Sequence, residues 1–195
     1  MMKNLILAIV LMTLGTGLFA QQNASQPQAE KSTKKDKKQE REAIQIQQFN
    51  EKTALINSRR FVLEAGYIIS RDGTKTSVTS SLNFIMVDSA QAVVQSGNNA
   101  GMGLNDVGGV TASGNITSWR VERNEKKRTF NIEMGVSTNL GLINMSVYIP
   151  ASGNATAHLR ENFKLPSADF VGPLVPLEKS TVYKGRARYV IPGLN

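Results

Sequence analysis

The residues from Gly97 to Gly109, GNNAGMGLNDVGG, include five glycines and resemble a ligand-binding loop more than any other part of the chain. A phosphate-binding loop has glycines at fixed offsets and continues into a helix whose N-terminal amides meet the anion. Gly101 and Gly103 match the first half of such a motif, but Asp106 occupies the third glycine position and a strand-like segment follows. The pattern therefore predicts an inter-strand connector, with Gly101, Gly103 and Asp106 as candidates for the rim of a ligand groove.

Histidine chemistry is restricted because His158 is the single histidine and cysteine is absent. A zinc site of nitrogen and sulfur ligands cannot be assembled from this set. No G-x-S-x-G motif is present either, so nothing indicates a serine nucleophile. We predict no catalytic residues, no metal and no cofactor, and we retain His158 as a groove candidate without a catalytic role.

Carboxylates leave one enzymatic alternative open. Glu64, Glu122 and Glu133 fall in predicted strands, and paired carboxylates can hydrolyse glycosidic bonds. Glu133 alternates with apolar neighbours, which predicts that it faces solvent. A catalytic carboxylate is more often found in a pocket that perturbs its pKa. A hydrolase of unusual type that uses strand carboxylates remains the alternative to a non-enzymatic domain.

The positive charge is dispersed along the chain. Lys and Arg number 23 against 15 Asp and Glu, a net charge of +8. Nucleic-acid-binding proteins concentrate their bases in a stripe with aromatic partners. The nearest such group lies between Trp119 and Arg128, where the pattern predicts a solvated hairpin end. We expect no nucleic-acid partner, and we retain Trp119 as a further candidate for a ligand groove.

The first 20 residues have the composition of a signal peptide. A positive head precedes an apolar stretch from Leu5 to Leu18, and Ala20 provides a small residue for cleavage. The stretch is shorter than the ~20 apolar residues of a membrane-spanning helix. We predict a signal peptide at 1–20 and an exported protein, periplasmic or secreted, without a lipid anchor or a transmembrane segment after cleavage.

Composition and periodicity indicate two further segments. Residues 21–39 are polar and predict a disordered tether. Residues 40–195 form one predicted β-rich domain that starts with an amphipathic helix at about 40–58. In this helix Ile46, Phe49, Thr53 and Ile56 share one stripe. The domain's own sheet is the expected partner of the stripe; another protein or a membrane surface is the alternative.

Beyond residue 60 the hydrophobic pattern has a period of two, which indicates strands. We predict a mainly β (α+β) fold in which the helix precedes an antiparallel meander of about eight strands, as an open curved sheet, a sandwich or a barrel-like form. The predicted strands are 61–70, 75–87, 91–95, 120–122, 130–136, 143–149, 154–159 and 182–191. The segment 165–177 contains three prolines and is predicted to be irregular or an edge.

The order of these segments resembles the DUF4251 family, a domain of unknown function in exported proteins of Bacteroidota. The similarity covers about residues 40–190 and includes Phe61, the strand 79–87, the Gly108–Gly109 pair and Tyr183-Lys184-Gly185. Family members often have a Tyr- and Gly-rich segment where this chain has GNNAGMGLND, without an aromatic residue. The resemblance implies an exported β-rich domain and transfers no catalytic residue.

Taken together, the sequence predicts an exported, non-enzymatic β-rich domain of the Gram-negative cell envelope. Its expected role is that of a binding or interaction module, and its expected partner is an unidentified small ligand or an envelope protein.

Overall fold

In the computed structural model, which describes residues 26–98, 108–160 and 167–185, one helix precedes a mainly β domain. The helix, α1, spans Gln26–Ser58. The strands are β1 Arg60–Glu64, β2 Tyr67–Ser70, β3 Lys75–Ser77, β4 Phe84–Asp88, β5 Gln91–Ser96, β6 Val110–Asn124, β7 Thr129–Thr138, β8 Gly141–Pro150, β9 Ala155–Leu159, β10 Ala168–Gly172 and β11 Leu174–Pro176. A 3₁₀ turn follows at Leu177–Lys179.

The chain divides into two units, Met1–Gln39 and Glu40–Asn195. In the first unit, the described residues 26–39 are helical, although the sequence predicts a tether there. This segment contains five Lys and three Gln residues, both of which have a favourable helix propensity. The described side chains from Lys34 to Gln39 are exposed. Within the described residues, no helix combines the length and apolar character of a membrane-spanning segment.

All eleven strands belong to one antiparallel, curled half-barrel sheet. From one end to the other, the strands follow the order β11-β1-β4-β5-β6-β7-β8-β9-β10-β2-β3. The middle of the sheet is a meander of sequential hairpins, as the alternating pattern predicts. A bulge at Ile116/Ser118 in the long strand β6 bends this part of the sheet.

The two ends of the sheet are connected by two strand pairings, β1 with β11 and β2 with β10, which we together call the closing pair. Only Ala65 and Gly66 separate β1 from β2, and only Pro173 separates β10 from β11. β1 pairs with β11 and β2 pairs with β10. At the bend between them, the Glu64 N–H donates to the Pro173 carbonyl and the Gly66 N–H donates to the Val171 carbonyl, each at 3.0 Å.

The core fills the concave side of the sheet. Alternate residues of each strand point inward, and their buried side chains form one hydrophobic cluster. Its members from the central hairpin are Phe130, Ile132, Met134, Val136, Ile143, Met145, Val147 and Ile149. This central hairpin is the part of the fold that the period-two pattern predicts most directly.

The C-terminal half of α1 packs on the sheet, which confirms the expected partner of its apolar stripe. Phe49 and Ile56 are buried in the core, and the Phe49 ring stacks on Phe130 with centroids 4.8 Å apart. Arg128 in the β6–β7 turn pairs with Glu42 at 3.1 Å. Ile46, at the start of the stripe, remains 45% exposed.

Lys52 lies on the same side of α1, where its Nζ donates to the Leu174 carbonyl at 2.9 Å. Burial disfavours the charged amine and lowers the pKa of Lys52 below 10.5. The unfolded chain then binds more protons between the folded-state pKa and 10.5, so the free energy of unfolding rises with pH in that window.

We expect Lys52→Met to remove this rise relative to the wild type in denaturant titrations from pH 8 to 10.5. Lys127→Met, at an exposed turn residue, should leave it in place; equal pH slopes for all three chains would contradict the burial effect.

A smaller hydrophobic cluster lies on the convex side, where the chain's C-terminal part covers β1, β4 and β5. Val62, Phe84 and Val93 are buried there beneath Val175, Leu177 and Val182. The buried Gln95 side chain holds the covering segment: its Nε2 donates to the Tyr183 carbonyl at 2.8 Å and its Oε1 accepts the Gly185 N–H at 2.7 Å. The same amide also binds the Leu82 carbonyl and the Thr111 hydroxyl.

The structure corrects several predicted strand boundaries. The predicted strand 61–70 is two strands with a bend at Ala65–Gly66, and the predicted strand 75–87 is interrupted between Ser77 and Phe84. In each case the two pieces pair with different strands. In the segment 165–177, β10 pairs on both sides with β9 and β2 and is not irregular, whereas β11 is an edge strand of the sheet, as the edge alternative predicts. Residues 182–185 are not a strand, and the rest of the predicted strand 182–191 lies outside the described residues.

Candidate functional site

A cavity of about 800 Å³ opens at one end of the curled sheet. The ends of β2, β5 and β9 and the beginnings of β6 and β10 surround it, since neighbouring antiparallel strands start and stop at the same edge. Its apolar lining consists of Ile68, Val94, Val110, Leu159, Ala168 and Phe170. Its polar lining consists of Ser70, Arg71, Asp72, Ser96 and Ser167, with Gly109. α1 packs at the opposite end, where Phe130 lies near the start of β7.

The β2–β3 turn places Arg71 and Asp72 at the mouth of this cavity. An Asp-Gly hairpin turn connects the two strands, and Gly73 has a φ of 85°, a left-handed conformation that suits glycine. The Asp72 carboxylate accepts the Thr74 N–H at 3.0 Å, and this backbone hydrogen bond lowers the pKa of Asp72. The turn is therefore held by its own acid, which stays ionised at neutral pH.

Across the mouth, β5 and β6 approach very closely beside the Gly-rich segment. A Cβ on Gly109 would lie 2.0 Å from the Ser96 carbonyl oxygen, so only glycine fits at this position. Asn83 fixes the other end of the segment, because its side chain accepts the Gly97 N–H at 3.0 Å and donates to the Gly97 carbonyl at 2.8 Å. Both described flanks of the Gly-rich segment are thus anchored, and Ser96 and Gly109 line the cavity. The candidates Gly101, Gly103 and Asp106 themselves lie outside the described residues.

Trp119, a further candidate, lies away from this cavity, on the half of β6 that extends past β5. Its ring packs on the core near Phe61, with centroids 6.3 Å apart, and the Arg59 guanidinium lies 4.7 Å from the ring centroid. Trp119 also lines a second depression of about 330 Å³, whose other walls include Arg120, Glu133 and Asn144. The structure therefore gives this indole a packing role.

His158 lies on the convex side of β9, between Ser146 of β8 and Asp169 of β10 in strand register. Its Nδ1 is 2.5 Å from Asp169 Oδ1, so an acid and an imidazole are paired as in a hydrolytic triad. The His158 side chain is 50% exposed and lies on an open sheet face. Ser146 is the cross-strand neighbour of His158, but among the described residues no hydrogen bond joins the two side chains.

The strand carboxylates do not share a cleft. Glu122 and Glu133 are exposed on the convex face, and Glu122 pairs with Arg120 at 2.8 Å. Glu64 is half-buried near the closing pair and accepts the Ser180 hydroxyl at 2.7 Å. Throughout the part of the chain that the structure describes, no three His, Cys, Asp or Glu side chains cluster as metal ligands would.

The apolar cavity residues are the ones that sequence reasoning did not single out as site candidates. Phe170, Leu159 and Val94 each follow the inward alternation of a strand, a signal that marks core residues and cavity residues alike. The described flanks of the Gly-rich segment lie at the same end of the sheet as the cavity, since Ser96 and Gly109 line it.

Comparisons with known proteins agree with this fold. The family model described as a domain of unknown function, DUF4251, matches residues 26–173. A crystal structure of a DUF4251 family protein from Bacteroides eggerthii DSM 20697 is similar, with a TM-score of 0.55 and 26% sequence identity over 68% of this chain and 90% of that chain. No curated protein matches the chain.

Proposed function

The chain belongs to the DUF4251 family, and we propose that it is an exported, non-enzymatic binding module of the cell envelope that takes an apolar small molecule into the cavity at the open end of its sheet. The cavity is the single observation on which this proposal rests. Protein interiors are normally close-packed, with few voids larger than a water molecule. A space of about 800 Å³ with predominantly apolar walls falls in the size range of small-molecule sites.

Binding rather than catalysis is supported by the positions of the reactive groups. The His158–Asp169 pair is on the convex sheet face, whereas the cavity is inside the curl. Asp72 is the one carboxylate among the described lining residues, and a hydrolase of the unusual type would need two acids in one cleft. Export is supported by the sequence of residues 1–20, whose head, apolar stretch and Ala20 match a signal peptide.

Filling the cavity should weaken binding of an apolar ligand. Ala168 lines it from β10, so an indole at this position would occupy the space of the ligand. We expect the protein to bind the neutral dye N-phenyl-1-naphthylamine, measured by the rise of dye fluorescence, and Ala168→Trp to weaken that binding roughly tenfold or more.

Ala54→Trp is the matched control, because Ala54 is exposed on α1 at the other end of the fold. It should bind the dye like the wild type, and circular dichroism should show both variants folded. If Ala168→Trp is folded and binds the dye unchanged, or if the wild type does not bind it, the cavity is not a binding site.

A further inference from the structure

We infer that the ligand of this cavity is a single-chain aliphatic amphiphile with an anionic oxygen head, whose chain lies inside the sheet and whose head lies at Arg71. This inference rests on the proposed function and adds the chemical class of the ligand. The shared feature of the class is one aliphatic chain that ends in a carboxylate or a phosphate.

The walls of the cavity favour an aliphatic chain. Five of its six apolar lining residues are aliphatic, and Phe170 is the one aromatic ring. Phe170 provides one ring on which an aromatic probe can stack, whereas the other apolar walls provide aliphatic contact only. A flexible alkyl chain needs only such apolar contact, and its burial is favourable in proportion to the apolar area removed from water.

The mouth has the polar groups for the other end of such a molecule. Ser70 pairs with Ala168 across β2 and β10, and Ser96 is on the β5 side. The neighbouring Ser167 hydroxyl donates to the Leu159 carbonyl at 3.0 Å, which leaves its oxygen facing the cavity as an acceptor. Hydroxyl groups can donate to an oxygen anion from several directions. An ionised head would remain at this rim, because moving it into the apolar interior costs several kcal/mol.

Charge decides the sign of the head group. Arg71 is the one base among the described lining residues, and its planar guanidinium matches the geometry of carboxylates and phosphates. Lys75 of the same hairpin lies on the other face of β2, 3.7 Å from the Tyr67 ring centroid, and Arg160 lines the second depression. Asp72 is the one acid among the described lining residues, and its carboxylate accepts the backbone N–H of its own turn. Arg71 is therefore the described lining group that would recognise an anionic head.

The test displaces N-phenyl-1-naphthylamine from the full chain with dodecanoate, dodecyl phosphate or dodecan-1-ol, below their critical micelle concentrations. We expect at least one of the two anions to compete roughly tenfold more strongly than the alcohol, as a charge-assisted hydrogen bond allows. Arg71→Gln should remove this difference while dodecan-1-ol competes as before. The stronger of the two anions identifies the head group, and either result supports the inference.

Arg160→Gln is the matched control, since it removes the same charge from the second depression, outside the lining of this cavity, and it should keep the preference for anions. An anion-to-alcohol ratio unchanged in Arg71→Gln would overturn the assignment of the head group, while the dye and alcohol would still show a functional cavity. Failure of dodecan-1-ol and both anions to displace the dye would overturn the inference, and dye binding unaffected by Ala168→Trp would overturn the proposed function itself.

Discussion

A Gly172→Ala chain should be less stable than the wild type by roughly 3 kcal/mol or more. Gly172 lies at the bend of the closing pair, where a Cβ would stand 1.8 Å from the Glu64 carbonyl oxygen and 2.7 Å from its carbon. Both atoms are backbone, so no side-chain rotation can relieve the overlap. The substitution must push β10 away from the β1–β2 bend and weaken the hydrogen bonds at this point. Urea denaturation followed by circular dichroism would measure the loss.

Gly66→Ala is the matched control on the opposite strand of the same bend. No atom lies within 4 Å of a Cβ at Gly66, and its φ is not in the left-handed region. A methyl group there should change the free energy of unfolding by less than about 1 kcal/mol. If the two variants were equally stable, the backbones would not approach at Gly172 as closely as the structure has them.

Replacing Gln95 by leucine should have the second-largest effect, a loss of about 3 kcal/mol. The fully buried Gln95 amide forms four hydrogen bonds, to the Leu82 and Tyr183 carbonyls, the Thr111 hydroxyl and the Gly185 N–H. Leucine has a similar volume but leaves these partners unsatisfied, and a buried polar group without a partner costs about 1–3 kcal/mol. The segment around Tyr183 should then detach, so that trypsin cleaves after Lys184 sooner than in the wild type.

Gln91→Leu, at the exposed first residue of the same strand, is the comparison. It should unfold within about 0.5 kcal/mol of the wild type and keep the wild-type cleavage rate after Lys184. Equal melting temperatures and cleavage rates in the two leucine variants would show that the Gln95 amide does not hold the C-terminal segment.

The parts of the fold that the sequence predicts well are those whose pairing is local. In β7 and β8, Phe130 to Val136 and Ile143 to Ile149 alternate strictly because one face of the hairpin covers the core and the other meets water. The turn between the strands includes Gly141 at a φ of 102°, and the hairpin at Asp72–Gly73 is equally explicit. In such hairpins, turn chemistry and alternation agree with each other.

Long-range pairing leaves no comparable local signal. The run FVLEAGYIIS has the pattern of one strand, and only the pairing with β11 and β10 shows that Ala65–Gly66 is a bend. The three prolines of 165–177 predict irregular structure or an edge, which fits the edge strand β11 but not β10, which pairs on both sides; Pro173 falls between the two strands, where a missing N–H donor costs little. The split of the predicted strand 75–87 has the same origin, because β3 pairs with β2 whereas β4 pairs with β1.

For the candidate site, the sequence indicates the end of the sheet better than it indicates the residues that line the cavity. Glycines between strands indicate a loop at a sheet edge, and Ser96 and Gly109 do line the cavity. Alternation assigns Val94, Leu159 and Phe170 to the concave side, but it does not show whether an inward side chain meets another side chain or an open space. That distinction depends on how far the sheet curls, which is decided by the bend at Ala65–Gly66 and the bulge in β6.

The closing pair has a consequence for the order of folding. It joins Phe61 to Pro176, so its ends are more than a hundred residues apart in the chain. The hairpins from β6 to β9 can form early because their strands are neighbours in the chain. The closing pair can form only with the last strands, and bringing its distant partners together costs the chain loop-closure entropy. If the chain is exported as we propose, this delay would help it to stay translocation-competent until its C-terminal strands have been synthesised.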